Sequence, residues 1–525
     1  MILATFCFIS ISFSQPRTSD QGNGTYRNPI IFADYSDPDV IRVGADFYLT
    51  SSSFNCFPGL PILHSNDLVN WTIINHAIDN FPDEAFNIPQ HGNGIWAPAL
   101  RYHDGAYYIY YGDPDRGIYM LKTTDPAGKW DAPVLVKKAY GNIDPCPLWD
   151  DDGKVYLVHA FAHSRAGVNS LLQVNELSPD GTSVVDKGTI VFDGHKDQPT
   201  IEGPKFYKRN GYYYIFAPAG GVATGWQTVL RSKNVFGPYE EKIVLAQGKT
   251  TVNGPHQGGY VELENGDGWF VHFQEKQPYG RIVHLEPVAW RNDWPVIGAD
   301  PDSDGTGEPV YSFNKPDVGS SFPVLVPQTS DEFKLAELGK QWQWQANFQL
   351  SWYSLTENPG HLRLYSQPMP SDWLDFWHVP HLLLQKMPAP EFTVTAKLKL
   401  TTKTINERAG VVVMGMDYAY IAITKKASGY NIEQVTCLQA PEDGKEFPLE
   451  ILPMEMNTIF VQVRVQEGGK CAFLYSYDGE AYEPIGQTFQ AKEGKWIGAK
   501  IGVFATTPAN DTQGGFADFD FFRVN

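Results

Sequence analysis

The feature that most constrains this chain is a strand that repeats. An aromatic-rich apolar segment, preceded by a Gly, Asp or Asn turn, recurs as GADFYLTSSS, DGAYYIYYG, DGKVYLVHAF, NGYYYIFAPA and GDGWFVHFQE. The copies lie roughly 50 to 60 residues apart, the scale of one propeller blade. Several run on to a further strand that ends in a turn and an aromatic residue, as in ILHSNDLVNW, MLKTTDPAGKW and VLRSKNVFGPY. Five copies imply five blades, since a single small sheet cannot bury its faces alone and stacks on its neighbours around a ring. The 48 glycines and 38 prolines are spread along the chain, and no long stretch keeps a helical period, so the fold class is all-β.

After Tyr311 the repeat stops. The segment FNKPDVGSSFPVLVPQTSDEF reads as a linker, and the strands EFTVTAKLKL, AGVVVMGM, AYIAITKK and TIFVQVRVQE, with the closing run GGFADFDFFRVN, follow. Their period-two alternation predicts a two-sheet β-sandwich of jelly-roll type with polar residues facing out. The expected organisation is a five-bladed β-propeller over 26–312, a linker over 313–329 and the sandwich over 330–525. The opening run MILATFCFISISFS is apolar, too short to span a bilayer and ends in small residues, so 1–14 is expected to be a signal peptide, although it lacks a basic start. Phe6 before Cys7 is too bulky for a lipid-attachment site. The protein is therefore expected to be secreted or periplasmic, with no membrane span.

A formal charge of -19 argues against nucleic acid as a partner, because phosphate binding draws on clustered Lys and Arg. Neutral ligands stay open. Aromatic residues form 14% of the chain, and many sit beside Gly, Pro, Asp and Asn, where flat faces suit sugar rings; aromatic-rich sheets explain them equally well. Without the leader, the cysteines are Cys56, Cys146, Cys437 and Cys471, with no CxxC pair, so free buried thiols are expected and no thiolate metal site. No nucleotide, flavin or zinc motif appears, which implies chemistry without an organic cofactor.

Aligning the five copies on their turns exposes a second pattern. Each is preceded by a proline: Pro38, Pro98, Pro145, Pro204 and Pro255. Proline restricts its predecessor, expected to be extended, and removes a ladder donor, so it suits the first residue of an innermost strand. Next to that proline, or one residue further back, three blades carry an acid: Asp37, Asp144 and Glu202. The other two blades offer Trp96 and His256. Equivalent positions of successive blades surround one axis, so acids distant in sequence converge at one end of the channel. Inverting glycosidic cleavage needs such a set: an acid to protonate the leaving oxygen and a carboxylate to activate water on the opposite face. A third carboxylate keeps the acid protonated by like-charge repulsion. A single Asp-Pro is a common turn element; three acids in register are harder to assign to turns.

At these residues the chain resembles glycoside hydrolase family 43, over NPIIFADYSDPDVIRVGADFYLTSSSFNCFPGLPILHSNDLVNW, GIWAPALRYHDGAYYIYYG, IDPCPLWDDDGKVYLVHA, IEGPKFYKRNGYYYIF and YGRIVHLEPVAW. The resemblance implies that Asp37 is the general base, Asp144 the pKa modulator and Glu202 the general acid. It implies that Arg281 binds the substrate or the modulator, that His256 lies on the propeller axis near water or a cation, and that Phe54 and Trp96 wall the sugar subsite. Two departures, Trp226 and Gln227 in AGGVATGWQTVLRS and Cys56 in place of a bulky wall residue, fall near the expected substrate. Trp226 is either a stacking platform or core.

The C-terminal part resembles the concanavalin-like sandwich that accompanies xylosidases and arabinofuranosidases of that family, where a sandwich loop can close one side of the pocket; which loop would do so here is not legible. Glu332, Asp518 and Asp520 could supply oxygen ligands to a structural Ca²⁺, or be ordinary exposed strand acids. DPDSDGTGEP, 300–309, alternates Asp like a calcium loop but has Tyr311 where the closing Glu belongs, which favours an acidic turn. The implied function is an inverting exo-glycosidase releasing terminal xylose or arabinofuranose from xylan, arabinoxylan, arabinan or their oligosaccharides. The alternative is a carbohydrate-binding propeller without catalysis, against which the presence of all three acids argues. The motifs of a retaining fructan or sucrose hydrolase are absent. Oligomeric state is not encoded in any recognisable pattern.

Overall fold

In the computed structural model, which describes residues 18–370, 375–508 and 514–525, each of the five repeats is a four-stranded antiparallel meander. The expected leader, 1–14, lies outside the described residues. Blade 1 comprises Asp39–Val43, Asp46–Thr50, Gly59–Ser65 and Thr72–Ile78, and blade 2 runs from Trp96–His103 to Val134–Lys138. Blades 3, 4 and 5 begin with Asn142–Trp149, Lys205–Arg209 and His256–Glu262. These first strands pack against one another around the axis, and the aromatic repeat seen in the sequence forms the second strand of each blade.

Apolar side chains fill the gaps between blades. Phe47, Leu49 and Leu63 of blade 1 meet Val261, Val271 and Leu285 of blade 5, so the last blade closes on the first. The closure is also sewn by polar contacts, since Thr25–Arg27 pairs with Ser312–Asn314, Tyr26 donates to the Leu285 carbonyl at 2.7 Å, and Asn28 Nδ2 bonds the Leu285 and Val310 carbonyls, both at 2.9 Å. Such burial contributes about 1.5–3 kcal/mol per large apolar side chain, which ring closure gathers at every blade edge.

One backbone expectation is corrected. The residue before each strand-opening proline is not ordinary extended chain: Asp37, Ala97, Asp144, Gly203 and Gly254 all have positive φ, of 54°, 37°, 56°, 57° and 47°. Proline disfavours the right-handed helical region for its predecessor, and here the chain turns sharply from a loop into the innermost strand, which positive φ achieves. Glycine takes that conformation freely and Asp tolerates it; for a non-glycine residue a strained backbone costs on the order of 1–3 kcal/mol.

The C-terminal part is a sandwich of two sheets. One includes Phe392–Thr401, Thr458–Gln466, Lys470–Ser476 and Phe516–Val524, of which the first two alternate as expected, buried against more exposed. The other includes Arg408–Met414, Tyr418–Lys426, Gly429–Cys437 and Lys500–Thr507. There the expected alternation fails: Tyr418–Lys426 is buried along seven consecutive residues. The reason is a second apolar layer, in which Phe376, Trp377, Val379 and Leu382 cover the outer face over Tyr418, Tyr420 and Phe504.

This sheet also faces the propeller. Phe57 and Trp344 bridge backbones, Asn55 Nδ2 donates to the Gln345 carbonyl at 2.7 Å, and the Asn347 side chain bonds the backbone N–H and carbonyl of Phe81. Cys56, Cys146, Cys437 and Cys471 are all buried and unbridged.

Candidate active site

At one end of the propeller channel a cavity of about 100 Å³ is lined by Asp37, Phe54, Trp96, Ala97, Asp144, Glu202, Val222, Gln257, Arg281 and Trp496. A single water needs about 10–15 Å³ measured the same way, so this hollow is on the scale of one sugar ring. The three acids of the repeat register thus face one space. Each comes from a loop-to-strand turn: two occupy the positive-φ position itself, and Glu202 precedes Gly203, which takes that conformation in its blade.

Asp37 is held at both oxygens. Oδ1 accepts from Arg281 Nη1 at 2.8 Å and Oδ2 from Ser52 Oγ at 2.6 Å, while Ser52 Oγ in turn accepts the Ala97 backbone N–H at 2.7 Å. Arg281 packs over the Phe273 ring, 4.8 Å from its centroid, and its backbone N–H donates to Asp34 at 2.9 Å. Gly280, at φ 74°, is required there, because a Cβ would lie 2.5 Å from the Asp34 carboxyl and 2.6 Å from the Gly498 nitrogen. A buried pair tied down by this many hydrogen bonds keeps its carboxylate in one orientation.

Asp144 and Glu202 are both raised well above the usual carboxylate range. For Asp144 the main cause is burial, opposed by the Gly203 N–H that donates to Oδ2 at 2.8 Å and reinforced by the negative charge of Asp37. For Glu202 burial again leads, followed by the charge of Asp144. About a third of the Glu202 side chain (32%) remains open to the cavity, so its proton can reach a ligand. His256 lies behind it, with Nε2 3.6 Å from Glu202 Oε1 and no hydrogen-bond partner at either ring nitrogen. Burial, with Arg281 and His272 adding repulsion, pushes the imidazole down to about 3, so it is neutral and does not form an ion pair with the acid.

One wall does not come from the propeller. Trp496, on the loop before strand Lys500–Thr507 of the sandwich, reaches the cavity and sits edge-on to Trp96 at 6.4 Å, while Trp96 in turn meets Phe54 at 6.2 Å. The loop is anchored by the Gly498 N–H, which donates to Asp34 Oδ2 at 2.9 Å, so one carboxylate positions both Trp496 and Arg281. Gly92, at φ 79°, permits the approach, because a Cβ there would come within 2.5 Å of Lys495 and 3.0 Å of Trp496. A larger cleft of about 900 Å³ adjoins this side and shares Arg281 and Trp496 with the cavity.

Ser52, Asp34, Gln257 and Trp496 escaped the sequence reading. Gln257 follows His256 in the blade register and was within reach of that pattern; Trp496 stands in EGKWIGAK, where no local signal marks a cavity wall.

Other expected residues lie elsewhere. Trp226 does not line the cavity: its ring packs on the blade 3 and 4 core and its Nε1 donates to Gln198 at 2.7 Å. Cys56 faces the sandwich beside His91 and Trp377. The expected Ca²⁺ ligands Glu332 and Asp518 are not brought together. Glu332 is forked to Arg523 at 2.6 and 2.9 Å, Asp518 to Arg363 at 2.8 and 2.9 Å, and Asp520 pairs with Lys397, so guanidinium and ammonium groups take the place of an ion. In the 300–309 turn, Asp300, Asp302 and Asp304 do cluster, with Asp300 paired to Arg291.

A five-bladed propeller that gathers three carboxylates over one sugar-sized hollow, with a sandwich behind it, defines a class of carbohydrate-cleaving enzymes. The chain belongs to glycoside hydrolase family 43: residues 26–295 match the model for glycosyl hydrolases family 43 and residues 330–525 that for the beta-xylosidase C-terminal concanavalin A-like domain. A beta-xylosidase of Formosa agariphila is 32% identical, over 96% of this chain and 91% of that protein. A non-reducing end alpha-L-arabinofuranosidase of Bacteroides ovatus is 33% identical, over 95% and 94%. The crystal structure of a xylan beta-1,4-xylosidase from Bacillus halodurans superposes with a TM-score of 0.84 at 26% identity, over 95% of this chain and 99% of that one. The protein is a glycoside hydrolase with a carbohydrate substrate, and a hydrolase of this family works without an organic cofactor. Among the described residues no helix is long and apolar enough to cross a membrane.

Proposed function

We propose that this hydrolase removes single terminal β-D-xylose or α-L-arabinofuranose residues from plant polysaccharides or their oligosaccharides, with inversion at the anomeric carbon. The observation that carries the proposal is the unequal environment of the three acids around one hollow. Asp37, fixed by Arg281 and Ser52, is the base that takes a proton from the attacking water. Glu202, raised by burial and by Asp144, is the acid that protonates the departing oxygen. Asp144 touches neither proton in flight; its charge and its bond to the Gly203 N–H set the pKa and the position of the acid. Pairs of carboxyls driven apart in pKa are how one site supplies acid and base together.

The exo character is supported by the closed side of the hollow, where Trp496, Trp96 and Phe54 stand edge to edge and leave space for one ring. The aglycone would leave through the adjoining cleft. The names of the relatives favour xylose and arabinofuranose, which present similar hydroxyl patterns. Assays on aryl β-D-xyloside and aryl α-L-arabinofuranoside, followed by a product screen on arabinan, arabinoxylan and xylo-oligosaccharides, test the proposal: release of a monosaccharide from one of them is expected, and binding without any release would favour the non-catalytic alternative. Export to the periplasm or medium belongs to the same proposal, supported by the apolar run over 1–14; N-terminal sequencing of protein recovered from outside the cytoplasm would test it.

A further inference from the structure

Blade 5 holds three buried side chains that hydrolysis does not use. His272, on strand Gly268–Glu275, is the cross-strand partner of His284, on strand Arg281–Arg291, and Glu286 follows two residues later on the same face. All three are fully or almost fully buried, and one ligand atom from each lies within 4.8 Å of the others. The two imidazoles stack at 5.3 Å with their planes 18° apart.

The hydrogen bonds around this group do not balance. His272 Nδ1 lies 3.0 Å from the Phe273 carbonyl, so it donates its proton there, and Nε2 then turns a lone pair toward Glu286 Oε1 at 3.4 Å. Two lone pairs facing each other in a dry interior repel unless a positive centre lies between them. The carboxylate is otherwise fixed, with Oε2 accepting the Val310 N–H at 2.8 Å and Oε1 accepting Asn28 Nδ2 at 3.3 Å. His284 is fully enclosed, yet neither of its ring nitrogens has a partner. One proton shared between His272 Nε2 and Glu286 Oε1 would satisfy the first contact but leave His284 with two bare nitrogens, which buried polar groups rarely tolerate.

We propose that His272 Nε2, a ring nitrogen of His284 and Glu286 Oε1 form a structural binding site for a divalent transition ion of the Zn²⁺ type. Two imidazoles and a carboxylate are a donor set such an ion favours. The 3.4 Å between His272 and Glu286 is also the edge expected of a tetrahedron with metal–ligand bonds of about 2.0–2.1 Å. The Phe273 carbonyl and the Asn28 amide then act as the outer partners that orient metal ligands. Because the group is enclosed, the ion would enter as the blade folds. Its place has a consequence for the cavity: it would clamp the two strands whose connecting turn ends at Gly280 and Arg281, three residues before His284.

The test uses the full chain produced in medium supplied with Zn²⁺, with Co²⁺, or with neither, then dialysed against metal-free buffer. Elemental analysis is expected to find about one Zn²⁺ per chain, and the Co²⁺ protein to show visible d–d absorption of a nitrogen and oxygen site. The melting temperature should rise by roughly 5 °C over protein made without metal. His284→Gln should fold, by circular dichroism, and lose the ion. If that variant does not fold, metal content and the Co²⁺ spectrum of the unaltered chain still decide. A chain that retains no ion and melts at the same temperature under all three conditions overturns the proposal, as does a folded His284→Gln protein that keeps its full complement of metal.

Discussion

The propeller brings four charged groups to the cavity, three acids on or beside the turn into an innermost strand and Arg281 at the start of the third strand of blade 5, whereas the sandwich brings one indole on a loop. Asp37 and Arg281 hold each other while Ser52 donates to Asp37 and Asp34 accepts from the Arg281 backbone, and Glu202 and Asp144 tune each other by charge. Trp496 reaches the same hollow with half its surface open (46%) and is steadied mainly through Gly498 and Asp34. The contrast separates two tasks. Proton transfer demands fixed geometry, which a ring of strands supplies; fit to the sugar needs only a wall, which a loop from another domain can provide and alter without disturbing the acids.

If that division holds, substitutions on the two sides will differ in kind. Glu202→Gln is expected to lower kcat on a natural oligosaccharide by about 10²–10⁴-fold, with a much smaller loss on an aryl glycoside whose leaving group needs little protonation. Steady-state kinetics on both substrates check this. Asp144→Asn should have a smaller but distinctive effect. Removing that negative charge lets Glu202 ionise more readily, so the alkaline limb of kcat/KM moves to lower pH. In the unaltered enzyme the limb should lie well above 4.5, the ordinary glutamate value, because activity is lost only as rising pH strips the proton from an acid whose pKa is raised.

On the sandwich side the effects should fall mainly on KM. Trp496→Ala is expected to raise KM roughly tenfold, with kcat changed much less, since it removes a stacking wall and no reacting group. Gly92→Ala should reproduce part of that effect, by about 3-fold, by pushing the Trp496 loop away. A loss of kcat in either variant that matches the loss in Glu202→Gln would break the comparison.

The same division governs what the sequence could reveal. The five-fold repeat and the register of Asp37, Asp144 and Glu202 were legible because every blade obeys the same physical rule: a sharp turn into an axial strand, followed by an aromatic strand that packs on its neighbours. Phe54, Trp96 and Arg281, which the family resemblance pointed to, also line the cavity. Trp226 stays open in the sequence between platform and core because a tryptophan two turns from an acid looks the same whether it faces ligand or core; its packing on the blade 3 and 4 core and its bond to Gln198 come from other segments. The choice between calcium ligands and ordinary strand acids stays open in the sequence for a related reason. Asp518 and Glu332 have arginine partners far along the chain, which composition does not disclose. Asp150, which opens the hairpin turn DDDGK, is likewise buried against Lys208 and Tyr213 from the next blade. The alternation rule described Phe392–Thr401 and Thr458–Gln466 and missed Tyr418–Lys426, because a distant segment covers the outer face of that strand.

The most direct test follows the anomeric configuration of the sugar as it is first released, by proton NMR before mutarotation, on whichever aryl pentoside the enzyme cleaves. A base and an acid acting across one ring, with water between, predict that the opposite anomer to the substrate appears first. Initial accumulation of the same anomer would mean that a carboxylate had attacked the sugar itself, and would contradict the roles given to Asp37 and Glu202.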